Sequence, residues 1–125
     1  MRKGTHANER LPFGKLVFDK CVNSPLSPES AGRLRPILEA VCLAPSAVNK
    51  QPWRIVVSEG AVHFYMKRTL KYNGADVDMQ KIDMGIAMCH FDMIAKEYGV
   101  SAEFSLADPQ LSDTDELNYI ASFKI

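Results

Sequence analysis

One segment restricts the fold of this chain more than any other: a predicted helix from about Asp78 to Tyr98, closed by Gly99, that is apolar on two sides. At 100° per residue, Ile82, Ile86, Cys89 and Met93 line one face while Met84, Met88, Phe91 and Ala95 line the opposite one. Only a narrow strip near Lys81, Asp92 and Lys96 suits water. Such a helix needs cover on both sides, a sheet on one and another helix or subunit on the other. A chain of 125 residues does not readily supply both. The helix at 78–98 is therefore expected to meet a second copy of the chain or a complementary half-subunit.

The remaining elements are predicted around that helix. Residues 1–14 are polar and aperiodic, with Gly4, Pro12 and Gly14, and read as an arm or linker into a domain over 15–125 that opens with Leu16-Val17-Phe18. The segment looks like the inside of a longer chain. Ser27 is placed to cap a helix with Pro28 at its first position. Leu34, Ile37, Leu38, Val41 and Cys42 recur at helical spacing, and Pro45 ends the element. Pro36 inside it predicts a kink or a helix that properly begins near Arg35. Residues 53–58 and 61–66 are β-branched and aromatic runs around Glu59-Gly60, the pattern of a hairpin. Residues 102–106 and 118–123 alternate with period two. The predicted class is α+β, an antiparallel sheet packed on a long central helix.

Composition narrows the function. Fifteen basic and fifteen acidic residues leave no net charge, which removes the electrostatic footprint of a nucleic-acid binder or a membrane-surface protein. The basic N-terminus is followed by no apolar segment, so neither secretion nor a membrane span is indicated. Cys21, Cys42 and Cys89 are odd in number and form no C-x-x-C pair, which predicts reduced thiols in the cytoplasm and no metal site.

The stretch Leu43-Ala44-Pro45-Ser46-Ala47-Val48-Asn49-Lys50-Gln51-Pro52-Trp53 is an unusual way to join a helix to a strand. Its small residues would let backbone approach a flat ligand, and Ser46, Asn49 and free backbone N–H groups could bond a heterocycle or sugar. It could equally be a rigid connection in which Asn49 and Gln51 satisfy backbone groups and Trp53 enters the core. Elsewhere the signals are thin. Asp83 and His90 share a helix face but stand two turns, about 10 Å, apart, and read as surface or interface residues. His63 reads as exposed or structural, since no further ligand stands at metal spacing. Met79, Met84, Met88 and Met93 read as adaptable core filling, and residues 108–116 as a solvated acidic loop.

The run APSAVNKQPW at 44–53 resembles the P-S-A-x-N-x-Q-P-W signature of the nitroreductase family of flavin-dependent oxidoreductases. Lys81-Ile82-Asp83-Met84-Gly85-Ile86-Ala87-Met88 is similar to the D-x-G-I-A start of that family's central helix. With Arg10-Leu11-Pro12-Phe13 leading, the chain resembles the second half of a longer, roughly double-sized nitroreductase-like subfamily. The resemblance implies a nitroreductase-like α+β fold in a half-length version, with central helices packed across a two-fold or pseudo-two-fold interface and FMN in the cleft between halves. It assigns a flavin-binding role to Pro45, Ser46, Ala47 and Asn49, and a loop-shaping role to Gln51 and Trp53. The implied reaction is ping-pong, hydride from NAD(P)H to FMN and then electrons to a nitro or quinone acceptor. The arginine-rich R-R-S-type segment and the G-L-G-x-x-W segment of such enzymes are absent, Gly99-Val100-Ser101 being only a faint echo of the latter. The alternative expectation is a non-catalytic half or interaction module that has lost flavin binding.

Overall fold

The computed structural model describes residues 10–20, 24–46, 50–67, 79–106, 109 and 117–125. In chain order the elements are helix α1 (Phe13–Leu16), strand β1 (Val17–Asp19), a 3₁₀ segment (Pro28–Leu34), helix α2 (Arg35–Cys42), strands β2 (Trp53–Ser58) and β3 (Ala61–Lys67), helix α3 (Met79–Glu97), and strands β4 (Glu103–Ser105) and β5 (Leu117–Lys124). The class is α+β, as expected.

Ser27 caps the 3₁₀ segment by accepting from the Ser30 N–H at 3.2 Å. That segment bends at Gly32, whose φ of +59° suits a residue without a Cβ. The true α-helix starts at Arg35 with Pro36 in its first turn, where the missing N–H has no intrahelical partner to lose. The tight turn between β2 and β3 places Gly60 at φ +75°. Helix α3 ends where the sequence predicts, with Gly99 at φ +71° and Val100 N–H donating to the Ala95 carbonyl at 2.8 Å.

The sheet order is β1-β2-β3-β5-β4. It is antiparallel from β2 to β4, but β1 joins β2 in parallel, with Val17 opposite Ile55. The sheet is thus mixed where the sequence reading expected an antiparallel one. The reason lies in the connection: β1 reaches β2 through α2, and a helical crossover returns the chain in the same direction. Residues 10–14 also do more than lead into the domain. Leu11 and Phe13 pack against the core, and Leu11 N–H donates to Gln51 Oε1 at 2.8 Å.

Helices α2 and α3 cover one face of the sheet. Between them lie Leu16, Ile37, Leu38, Val41, Trp53, Ile55, Phe64, Met66, Met84 and Phe91, all fully buried. An aromatic cluster ties α3 to the sheet: the Phe91 ring centroid is 4.8 Å from that of Phe123 and 5.6 Å from that of Phe64. The inward side of α3 carries Met84, Ala87, Phe91 and Ala95, and also Gln80 and Asp83. Asp83 is only 3% exposed, so the surface role expected for it does not hold; His90 is half-buried. On the far side Ile82, Cys89 and Met93 stand exposed. Within this single chain the sheet covers one apolar face of α3 and leaves the other open.

The second face of the sheet is polar in its middle. His63 is buried on β3, with Nε2 2.9 Å from Ser58 Oγ and Nδ1 2.7 Å from Ser122 Oγ. Ser122 Oγ in turn lies 2.6 Å from the Tyr119 hydroxyl. Both ring nitrogens engage hydroxyls, so the imidazole is a structural link joining β2, β3 and β5. Period-two alternation places His63 on this face and Ser58 on the adjoining hairpin strand, but its other partner, Ser122, comes from a strand distant in sequence.

Candidate functional site

The segment from Leu43 to Pro52 leaves α2 and enters β2 at one end of the sheet, where Trp53 pairs with Met66 and Met66 pairs with Asn118. Gln51 organises it. Its N–H donates to Ser46 Oγ at 2.9 Å, its Oε1 accepts from Leu11 N–H at 2.8 Å, and its carbonyl accepts from Arg54 Nη1 at 2.8 Å. Its backbone sits at φ +48°, a left-handed conformation that costs a non-glycine residue roughly 1–2 kcal/mol. Those three bonds hold the residue in that conformation. Gln51 is 4% exposed, so its side chain belongs to the frame of the loop.

Pro45 is exposed and Ser46 half-buried, with the Ser46 hydroxyl oxygen already used by the loop. A hydroxyl has two lone pairs and one proton, so Ser46 keeps its own O–H for an outside acceptor. Ala47 and Asn49, the other two expected cofactor contacts, lie outside the described residues. Trp53 is fully buried in the core, and its indole N–H is a buried donor with no partner. An unsatisfied buried donor costs about 1–3 kcal/mol. The loop-shaping roles expected of Gln51 and Trp53 agree with this geometry.

Gln51→Ala removes the acceptor for Leu11 N–H and keeps the left-handed backbone. It is expected to destabilise the protein by about 1–3 kcal/mol, read as a fall of several degrees in melting temperature. A melt unchanged within about 1 °C would show that the loop does not depend on this residue.

A cavity of about 700 Å³ opens at the same end of the sheet, with Met66, Lys81, Asn118, Tyr119 and Ile120 in its lining. Its size falls in the range of small-molecule pockets. It brings Lys81, from the first turns of α3, to the end of the sheet from which the Pro45-Ser46 loop departs. Cys42, at the end of α2, is buried, and burial with the nearby Glu39 carboxylate pushes its thiol up to about 12. It is therefore protonated at neutral pH and unsuited to act as a nucleophile. Among the described residues no group of acidic, cysteine or histidine side chains could hold a metal ion, and no helix is long and apolar enough to cross a membrane.

A long helix laid across a five-stranded sheet, with a proline- and serine-containing loop pinned at the sheet's end, defines a nitroreductase-type α+β unit. The family model described as "Putative TM nitroreductase" matches residues 4–95, a span that contains both the loop and most of α3. The chain belongs to this nitroreductase family. Among solved structures it is similar to a "putative nitroreductase" from Thermotoga maritima, with a TM-score of 0.59 and 20% identity over 92% of this chain and 40% of that one. At that identity the likeness is one of fold, and the chain spans 40% of that protein's length. No curated protein matches it.

Proposed function

We propose that this chain is one half of an FMN-dependent oxidoreductase that takes hydride from NAD(P)H and reduces nitro or quinone compounds. The observation that carries this reading is the pair Pro45 and Ser46, which lies inside the family match, Pro45 exposed and Ser46 half-buried with its hydroxyl bonded to the Gln51 N–H. FMN, when bound, supplies the two-electron chemistry. The chain supplies the surroundings. Pro45 offers an apolar edge without an N–H, Ser46 offers one hydroxyl proton to an acceptor, and Ala47 and Asn49 complete the proposed contact. The Gln51 bonds matter because a site whose frame is set in advance spends less of its binding energy on ordering.

The open face of α3 is the proposed seat of a second copy or a complementary half, which would close the flavin cleft. The free Cys42 and Cys89 thiols are compatible with a reducing, cytoplasmic location. A second reading, a non-catalytic half that binds another subunit, is favoured by the same open face, since that surface can serve association without a flavin.

The test is a titration with FMN followed by the fluorescence of Trp53, the one tryptophan of the chain, which sits at the foot of the loop. Saturable quenching with an equivalent amount of flavin is expected. Ser46→Trp, which crowds the outward side of the loop, should weaken FMN binding at least tenfold when followed by flavin fluorescence. Equal affinity in the variant would remove the loop from the flavin site, and a wild-type chain that ignores FMN both alone and with its complementary half would favour the non-catalytic reading.

A further inference from the structure

Arg54 is the second residue of β2, immediately after the loop, and its guanidinium is half-buried. Nη1 donates to two backbone carbonyls, those of Gln51 and Trp53, each at 2.8 Å. Both protons of Nη1 are thereby used. Among the described residues the side-on edge of the guanidinium, Nε–H with the neighbouring Nη2–H, makes no hydrogen bond, and Arg54 has no ion pair. That edge is the one whose parallel N–H groups match two oxygens of a phosphate or carboxylate.

Burial alone lowers the Arg54 pKa, with no carboxylate to offset it. The group nevertheless stays cationic, because a guanidinium does not lose its proton in proteins. A half-buried cation whose guanidinium is fixed in orientation by two carbonyls, with its other edge open, is set in advance to receive an anion.

A second basic residue stands beside it. Arg54 lies opposite Tyr65 in the antiparallel pair, and Lys67 is two residues further along β3 on the same face. Diagonal positions of this kind are about 7–8 Å apart, within reach of two long side chains that share one ligand. Among the described residues Lys67, like Arg54, has no ion pair. Tyr65 is buried and packs edge-on against Tyr119 with centroids 5.6 Å apart, which gives the pair a firm aromatic neighbourhood.

We infer that Arg54 and Lys67 form an anion subsite that binds a phosphate monoester, with Arg54 giving two parallel hydrogen bonds and Lys67 a point charge. The carrier of that phosphate rests on the flavin reading above, in which FMN is the ligand; the subsite itself does not. It stands at the root of the loop, where Gln51 bonds both Arg54 and Ser46.

The experiment compares FMN, riboflavin and inorganic phosphate by calorimetric titration of the wild type, Arg54→Gln, Arg54→Lys and Lys67→Gln. The wild type is expected to bind FMN more tightly than riboflavin. That preference should shrink roughly 10- to 100-fold in Arg54→Gln, since two charge-assisted hydrogen bonds are lost, with riboflavin affinity unchanged. Arg54→Lys should recover only part of it, because an ammonium lacks the planar fork.

Lys67→Gln guards against a folding artefact, because the Lys67 side chain makes no hydrogen bond or ion pair among the described residues; it should lower the preference several-fold with an unaltered melt. If FMN and riboflavin weaken equally in Arg54→Gln while Lys67→Gln is silent, Arg54 only positions the loop and the inference falls. If no flavin binds but inorganic phosphate binds the wild type and not Arg54→Gln, the flavin reading fails and the subsite stands. A wild type that binds neither FMN nor inorganic phosphate overturns it.

Discussion

Phe91→Ala is expected to cost about 3–5 kcal/mol, the usual penalty for removing a buried phenylalanine ring, and to lower the melting temperature by roughly 10–20 °C. Phe91 is fully buried and meets Phe64 and Phe123 within 6 Å, so its ring fastens α3 to the centre of the sheet. The surrounding side chains come from strands on a twisted sheet that cannot collapse onto a helix position without breaking register. Since a domain of this kind has only about 5–15 kcal/mol in total, the variant should sit near the edge of folding at 37 °C. A loss below about 1 kcal/mol by thermal or urea denaturation would show that α3 is held by something other than this cluster. Phe91→Leu, which keeps most of the volume, should restore more than half of the difference.

The second large effect is expected on association. Ile82 is 45% exposed and Met93 is 59% exposed, on the face of α3 opposite Phe91. Ile82→Glu combined with Met93→Glu should leave the melt of the single chain within about 2 °C, because surface substitutions cost little. Binding to the proposed second copy or complementary half should weaken by at least 100-fold, since each side chain loses about 1.5–3 kcal/mol of burial and each carboxylate must be desolvated. Analytical ultracentrifugation reads both outcomes on one sample. Undisturbed association in the double variant would place the partner surface elsewhere. The nearest alternative is the shallow groove between α3 and the edge strand β4, lined by Met88, Cys89, Asp92, Ala102, Phe104 and Phe123.

The two predictions use the same helix in opposite ways, and that explains why α3 has the composition it has. An ordinary surface helix needs one apolar stripe. Here the stripes at Met84-Phe91-Ala95 and at Ile82-Cys89-Met93 are nearly opposite, and within this chain the sheet covers only the first. Gly85 leaves open space where a Cβ would stand, so Gly85→Ala adds no clash in the single chain.

Much of this was legible in the residues. The Gly60 turn, the start of α2 at Arg35 and the end of α3 at Gly99 follow from local rules, because a glycine at positive φ or a proline in a first turn acts on its neighbours alone. The family was legible as well, because the loop at 44–53 packs several rare residue types at fixed spacing. The burial of Asp83 and the parallel edge at β1 escaped the sequence reading for a shared reason: each depends on groups distant in the chain. An aspartate can sit beneath a helix only if polar partners meet it there, and Val17–Asp19 becomes a parallel strand only because α2 returns the chain beside β2.

The residues alone thus determined the elements from α2 onward, their caps, the two-sided helix and the family, all of which rest on spacing and on conformational limits acting over a few residues. The tertiary structure alone decided the parallel edge, the burial of Asp83 and the His63 link from β2 to β5. It also decided the frame that leaves one edge of Arg54 unbonded. Hydrogen-bond satisfaction and desolvation depend on which distant groups are brought within about 3 Å of one another, and no pattern confined to one segment contains that information.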